Sequence, residues 1–142
     1  MPERIAQAHW EGPVKDGSGR ITVESGVLAA DYSFGARFED KVGTNPEELL
    51  GAAHAGCFTM ALALGLTEAG HPPTRIDTTA RVAIAKGSDG FHIPSIELRV
   101  EADVPGLDAL DFQSLAQHAK ENCPVSKALS GTEIGLEAKL LV

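Results

Sequence analysis

A chain of 142 residues, 43% of them hydrophobic, is long enough for one domain with its own core, and a single domain over 1–142 is the expectation. Twelve Lys and Arg against 20 Asp and Glu give a formal net charge of -8, which repels polyanions and excludes nucleic acid and anionic membrane as expected partners. The N-terminal "MPERIAQAHWEG" carries no apolar signal region, and no unbroken apolar run approaches the roughly eighteen residues that cross a bilayer, so a cytoplasmic protein is expected.

From the N-terminus, "IAQAHW" and "RITVES" read as short strands separated by the turn-rich "EGPVKDGSG", and the meander is expected to continue through "YSFGARF". At Asn45 the period changes. Pro46, Leu50, Ala53, Cys57, Met60 and Leu64 recur at three or four residues, which predicts a long amphipathic helix capped by Asn45 and ending before "GHPP". Next, "RIDTTARVAIAK" puts Ile76, Thr78, Ala80, Val82 and Ile84 on one face, and "IPSIELRVEADV" does the same with Ile96, Leu98, Val100 and Ala102. Asp108 or Asp111 caps a helix through "DFQSLAQHAKEN", a further helix starts at "CPVSKAL", and "EIGLEAKLLV" closes the chain as a strand. Strands in runs, with helices gathered between them, predict an α+β domain on a mainly antiparallel sheet.

Two cysteines carry the chemical interest. In a reducing compartment a pair of thiols is reactive, metal-binding or merely buried rather than a permanent staple. Cys57, flanked by alanine and glycine, reads on composition as a packing residue. Cys123 precedes a proline suited to a first helical position, so its sulfur is expected at a helix N-terminus, where a thiolate is favoured. His54 and Cys57 lie three apart and offer half of a zinc site, but only Cys123 presents itself as a third ligand; His54 is expected on the helix surface or at an interface. Elbow, P-loop, dinucleotide and His-Glu-x-x-His motifs are all missing from the sequence.

"WEGPVK", "ESGVL", "ARFE", "GTNPEELLGAAHAGCFTMAL", "IDTTARV", "VPGLD" and "CPVSKAL" nevertheless stand in the order and spacing of the OsmC/Ohr family, and the chain resembles its OsmC branch most. The resemblance spans nearly the whole sequence. It implies an intertwined homodimer of α+β subunits with two active sites at the interface, and a thiol-dependent peroxidase of the oxidative and osmotic stress response. Organic hydroperoxides would be reduced preferentially and hydrogen peroxide more weakly. By motif, Cys57 is the peroxidatic cysteine, Cys123 the resolving cysteine, Arg37 the cation that holds the thiolate and Glu47 its carboxylate partner. In the Ohr branch the arginine stands earlier, at a position that here is Gly17; nearby Arg20 reads as a solvated strand-start residue.

No metal, haem or flavin is called for, since a thiolate attacks the O–O bond directly, and an external dithiol, implied to be a dihydrolipoyl group on a partner protein, would recycle the disulfide. A redox-sensing or ligand-binding module using the same cysteine pair as a switch is the competing reading. Ten residues of straight helix separate Glu47 from Cys57 by about 15 Å along the axis, so either the helix breaks near Gly51 or Gly56, or Glu47 serves a partner subunit. The second arrangement is expected, because the run from Leu49 to Leu66 carries no Asp, Glu, Lys or Arg.

Overall fold

Three short strands open the chain in the computed structural model, which describes residues 1–142 and forms two compact units, Met1–Leu49 and Leu50–Val142. In the first unit β1 (Ala6–Glu11), β2 (Ser18–Val23) and β3 (Ala29–Tyr32) make an antiparallel sheet in the order β1-β2-β3. Gly19 lies between Trp10 and Tyr32 in register, and the two rings meet edge-on over it, 5.4 Å between centroids. Any Cβ at Gly19 would strike both rings, so the glycine makes the aromatic contact possible.

The meander stops earlier than expected. "YSFGARF" does not extend it, because Ser33 turns the chain into a short helix, α1 (Phe34–Phe38), by accepting the Ala36 N–H at 3.1 Å. A local serine cap outweighs the alternation of Tyr, Phe and Phe around it. Glycine and alanine at 35 and 36 are the residues that α1 buries.

Asn45 is the cap of the long helix α2 (Pro46–Glu68), as its sequence position predicts: Oδ1 accepts the Glu48 N–H at 2.7 Å. Its amide also donates to Ala36 O at 3.2 Å, tying the start of α2 to α1, and buried Thr44 donates from Oγ1 to Glu48 at 2.9 Å. Helical hydrogen bonding runs without a break through Gly51 and Gly56.

In the second unit β4 (Arg75–Val82), β7 (Ser95–Asp103) and β8 (Glu133–Leu140) form a sheet in the order β4-β7-β8. β4 and β7 pair antiparallel, with Ile76 opposite Ala102 and Ala80 opposite Leu98, while β7 and β8 run parallel. The alternation read from sequence holds through β4 only to Val82. A hairpin, β5 (Ala85–Gly87) with β6 (Gly90–His92), takes up the rest. α3 (Ala109–Asn122) is capped by Asp108, whose carboxylate accepts the Asp111 N–H at 2.9 Å, and α4 (Pro124–Ala128) follows after a single residue. With four of five strand pairings antiparallel, the fold is α+β.

Phe58, Leu62 and Leu66 of α2 pack with Leu98 and Val100 of β7 and Phe112 of α3 to make the core. This is not the face expected from sequence. His54, Phe58, Leu62 and Leu66 are fully buried, whereas Met60 and Leu64 of the predicted stripe are 77% and 58% exposed. Alanine, glycine and leucine surround the whole helix, so its period alone could not choose a face; the bulk of Phe58 and the sheet opposite it did.

Truncating Phe58 to Ala should therefore cost about 3–5 kcal/mol in urea denaturation, while exposed Leu110→Ala should stay within about 0.5 kcal/mol of the parent. Equal losses in the two variants would contradict this packing.

Candidate active site

Cys123 is the only residue between α3 and α4, and it serves both helices. Its N–H closes α3 on Ala119 O at 3.0 Å, and its sulfur caps α4 by accepting the Ser126 N–H at 3.3 Å. The extended backbone this requires (φ -62°, ψ 134°) is the one that a following proline enforces, and Pro124 occupies the first turn of α4. Five residues of helix sum to a weak macrodipole, so discrete donors rather than the axis as a whole stabilise charge on this sulfur.

Those donors are identifiable. Ser126 Oγ lies 3.3 Å from Cys123 Sγ and 2.7 Å from His54 Nε2, so a line of hydrogen bonds runs from α2 to the sulfur. Cys123, Ser126 and His54 are all buried. The surface position expected for His54 is thus wrong: its ring is fully enclosed, and Nδ1 has no hydrogen-bond partner. Neither Ser126 nor the burial of His54 was read from sequence. The available signal was the spacing Cys-Pro-x-Ser at a helix start, which places Ser126 where a cap's donor belongs.

Cys57 lies half-buried on α2, one residue before the core Phe58, and packs against the same cluster that contains Cys123. The two thiols shift one another. Burial pushes the Cys57 thiol up, the Val125 N–H pulls it back in part, and the neighbouring Cys123 raises it further. Burial also acts upward on Cys123, but the Ser126 hydroxyl and N–H, Cys57 and the Val125 N–H together bring it below its ordinary value. The Ser126 donors are gathered at Cys123, which favours charge there over Cys57. Both cysteines border an apolar cleft of about 760 Å³ whose walls include Met60, Leu64, Ala119 and Pro124.

In the first unit, Arg37 at the end of α1 meets Glu47 in the first turn of α2 through two parallel bonds, Nε to Oε1 and Nη2 to Oε2, each 2.9 Å. Glu47 is buried and Arg37 partly exposed, and the fork raises the guanidinium further above its already high value. Arg20 instead pairs with Asp31 across the β2–β3 ladder on an open surface. At Gly17 any Cβ would collide with the carbonyl oxygens of Glu11 and Pro13, so this turn admits no arginine there. No group of three or more His, Cys, Asp or Glu is placed to hold a metal ion, and His54 Nε2 is engaged by Ser126.

Residues 38–137 match the family of OsmC-like proteins. The chain is 55% identical over 135 residues to a protein named peroxiredoxin OsmC from Escherichia coli, covering 94% of each. It is 36% identical over 127 residues to the organic hydroperoxide resistance protein OhrB of Bacillus subtilis, covering 86% of this chain and 90% of the other. A crystal structure of OhrB superposes with a TM-score of 0.72 over 96% of this chain and 98% of that one.

Burial lowers the His54 pKa, so the unfolded chain takes up this proton first as pH falls below about 6.5, and stability present above that value is lost as pH drops through the folded pKa. Urea denaturation between pH 7.5 and 5 should show a steeper acid loss in the parent than in His54→Gln. Parallel curves would contradict a buried neutral imidazole.

Proposed function

The chain belongs to the family of OsmC-like proteins, and from that membership we propose that it is a thiol-dependent peroxidase that reduces organic hydroperoxides, with Cys57 as the attacking thiol. The observation that carries the residue assignment is the meeting of two free thiols at an apolar cleft, one half-buried and one fully buried. The half-buried sulfur is the one a substrate reaches. Apolar walls suit an alkyl or lipid hydroperoxide better than well-hydrated hydrogen peroxide, which is the weaker substrate.

The Cys57 thiolate attacks the distal oxygen of the hydroperoxide. As the O–O bond breaks, the alkoxide leaves, takes a proton and departs as the alcohol, and Cys57 becomes a sulfenic acid. Cys123 then attacks that sulfur; the S–S bond forms as the S–O bond breaks, and hydroxide leaves as water after protonation. Two exchanges with an external dithiol return both thiols and oxidise the donor. A dihydrolipoyl group on a partner protein fits this need, and the cytoplasm is the compartment where such a cycle runs. The redox-switch alternative is not favoured.

Burial raises the Cys57 thiol, so the attacking step needs a cation that opposes it. Arg37 supplies one, held in a fixed orientation by Glu47. Since α2 continues unbroken from Glu47 past Cys57, about 15 Å of axial rise separates them. In this reading the Arg37–Glu47 fork serves the Cys57 of a second copy across a twofold axis. Exposed Met60 and Leu64, on a helix segment with no Asp, Glu, Lys or Arg from Leu49 to Leu66, favour such a homodimer.

Cys57→Ser should abolish peroxide consumption, and Cys123→Ser should leave a single-turnover burst ending in sulfenic or sulfinic acid, read by stopped-flow and intact mass. Undiminished steady-state turnover in both variants would refute the assignment, and a burst confined to Cys57→Ser would exchange the two roles. In mixed dimers joining a Cys57→Ser subunit to a Glu47→Ala subunit, about half of the parent activity should return, because one site carries both defects and the other neither. Mixed dimers as inactive as the parent variants would place Glu47 with the cysteine of its own chain.

A further inference from the structure

His54 is fully buried beside the thiols, and the reaction as derived leaves it unused. Its Nε2 is 2.7 Å from Ser126 Oγ, Ser126 Oγ is 3.3 Å from Cys123 Sγ, and Nδ1 has no partner. Burial disfavours the imidazolium, so the ring offers one N–H. Placing that hydrogen on Nδ1 would bury a donor with no acceptor and would draw the Ser126 hydroxyl proton toward Nε2, away from sulfur. Placing it on Nε2 leaves only an acceptor unpaired, the milder fault in a protein interior, and lets the hydroxyl of Ser126 turn to Cys123.

We propose that His54 is a positioning residue for Cys123: by donating from Nε2 to Ser126 Oγ it directs the Ser126 hydroxyl proton onto Cys123 Sγ. The sulfur then receives two donors from one residue, the hydroxyl and the N–H of Ser126. An anionic sulfur accepts both strongly, a neutral thiol weakly, so the arrangement favours the thiolate. Cys57 from α2 faces Cys123 directly, and Glu68 and His118 line the cleft that both thiols border. This inference deepens the peroxidase reading, in which Cys123 resolves the sulfenic acid and later leaves when an incoming thiolate attacks Cys57 in the disulfide. A stabilised thiolate serves as nucleophile in the first step and as leaving group in the second.

The test is a thiol titration in which no peroxide takes part, so it can fail or succeed independently of the catalytic reading. In a Cys57→Ser background only Cys123 contributes thiolate absorbance in the ultraviolet. There, His54→Leu and Ser126→Ala should each lower the thiolate-to-thiol ratio at a fixed neutral pH about tenfold, the value of one lost hydrogen bond to charge. The double variant should fall no further than Ser126→Ala, since His54 acts through that hydroxyl. His54→Gln, whose amide can donate to Ser126, should keep the parent ratio. An unchanged ratio in a folded His54→Leu, or a double variant that falls further than Ser126→Ala, overturns the proposal. Should His54→Leu not fold, Ser126→Ala decides instead: it removes a single oxygen, and an unchanged ratio there overturns the proposal equally.

Discussion

A helix start capped by sulfur is the constraint on which the dithiol depends. N-caps are ordinarily oxygens, which accept a backbone N–H at all ordinary pH values. At Cys123 the acceptor is a thiol, weak when neutral and strong when ionised, and the single residue between α3 and α4 leaves no room for another cap. Folding of α4 and ionisation of Cys123 are consequently linked. Pro124 removes one N–H that would otherwise seek an acceptor, and the Ser126 N–H and hydroxyl converge on the sulfur. The same junction closes α3 through the Cys123 N–H, so the sulfur is held by backbone on both sides and has little freedom to drift from Cys57.

The electrostatic division follows from this. Donors gathered around Cys123 leave Cys57 in apolar surroundings that oppose its charge, and a neutral, half-buried thiol is a poor nucleophile. The attacking role proposed for Cys57 then calls for a cation with little freedom of its own. The two-point fork on Glu47 fixes the Arg37 plane while Glu47, nearly buried, cancels much of the charge at long range. What remains is a directional donor, which in the proposed mechanism faces the thiolate and the peroxide oxygen that gains charge as the bond breaks.

Elements with one strong local signal were legible from sequence. Asn45 before a proline, Asp108 as one of the two caps offered for α3, and the two-residue alternation of β7 each depend on contacts within a few residues, and the structure holds each of them. The stop at Ser33 was obscured because the aromatic alternation on either side of it imitates a strand. The buried face of α2 was misread for a different reason. In a helix apolar on all sides the inward face is chosen by the sheet that covers it, which no local pattern encodes. His54 suffered from the same ambiguity: its burial is stabilised by Ser126, 72 residues away, and a contact of that range leaves no trace in spacing. Arg37 and Glu47, paired in the structure, came from motif resemblance rather than from the pattern of the residues themselves.

The most direct measurement is the product of one equivalent of an organic hydroperoxide added to the reduced protein. Peptide mapping should find two thiols lost per chain and one Cys57–Cys123 disulfide within the chain, with one equivalent of alcohol released. Retention of both thiols while peroxide disappears, or oxidation that stops at Cys57 with Cys123 still free, would contradict a dithiol cycle at this site.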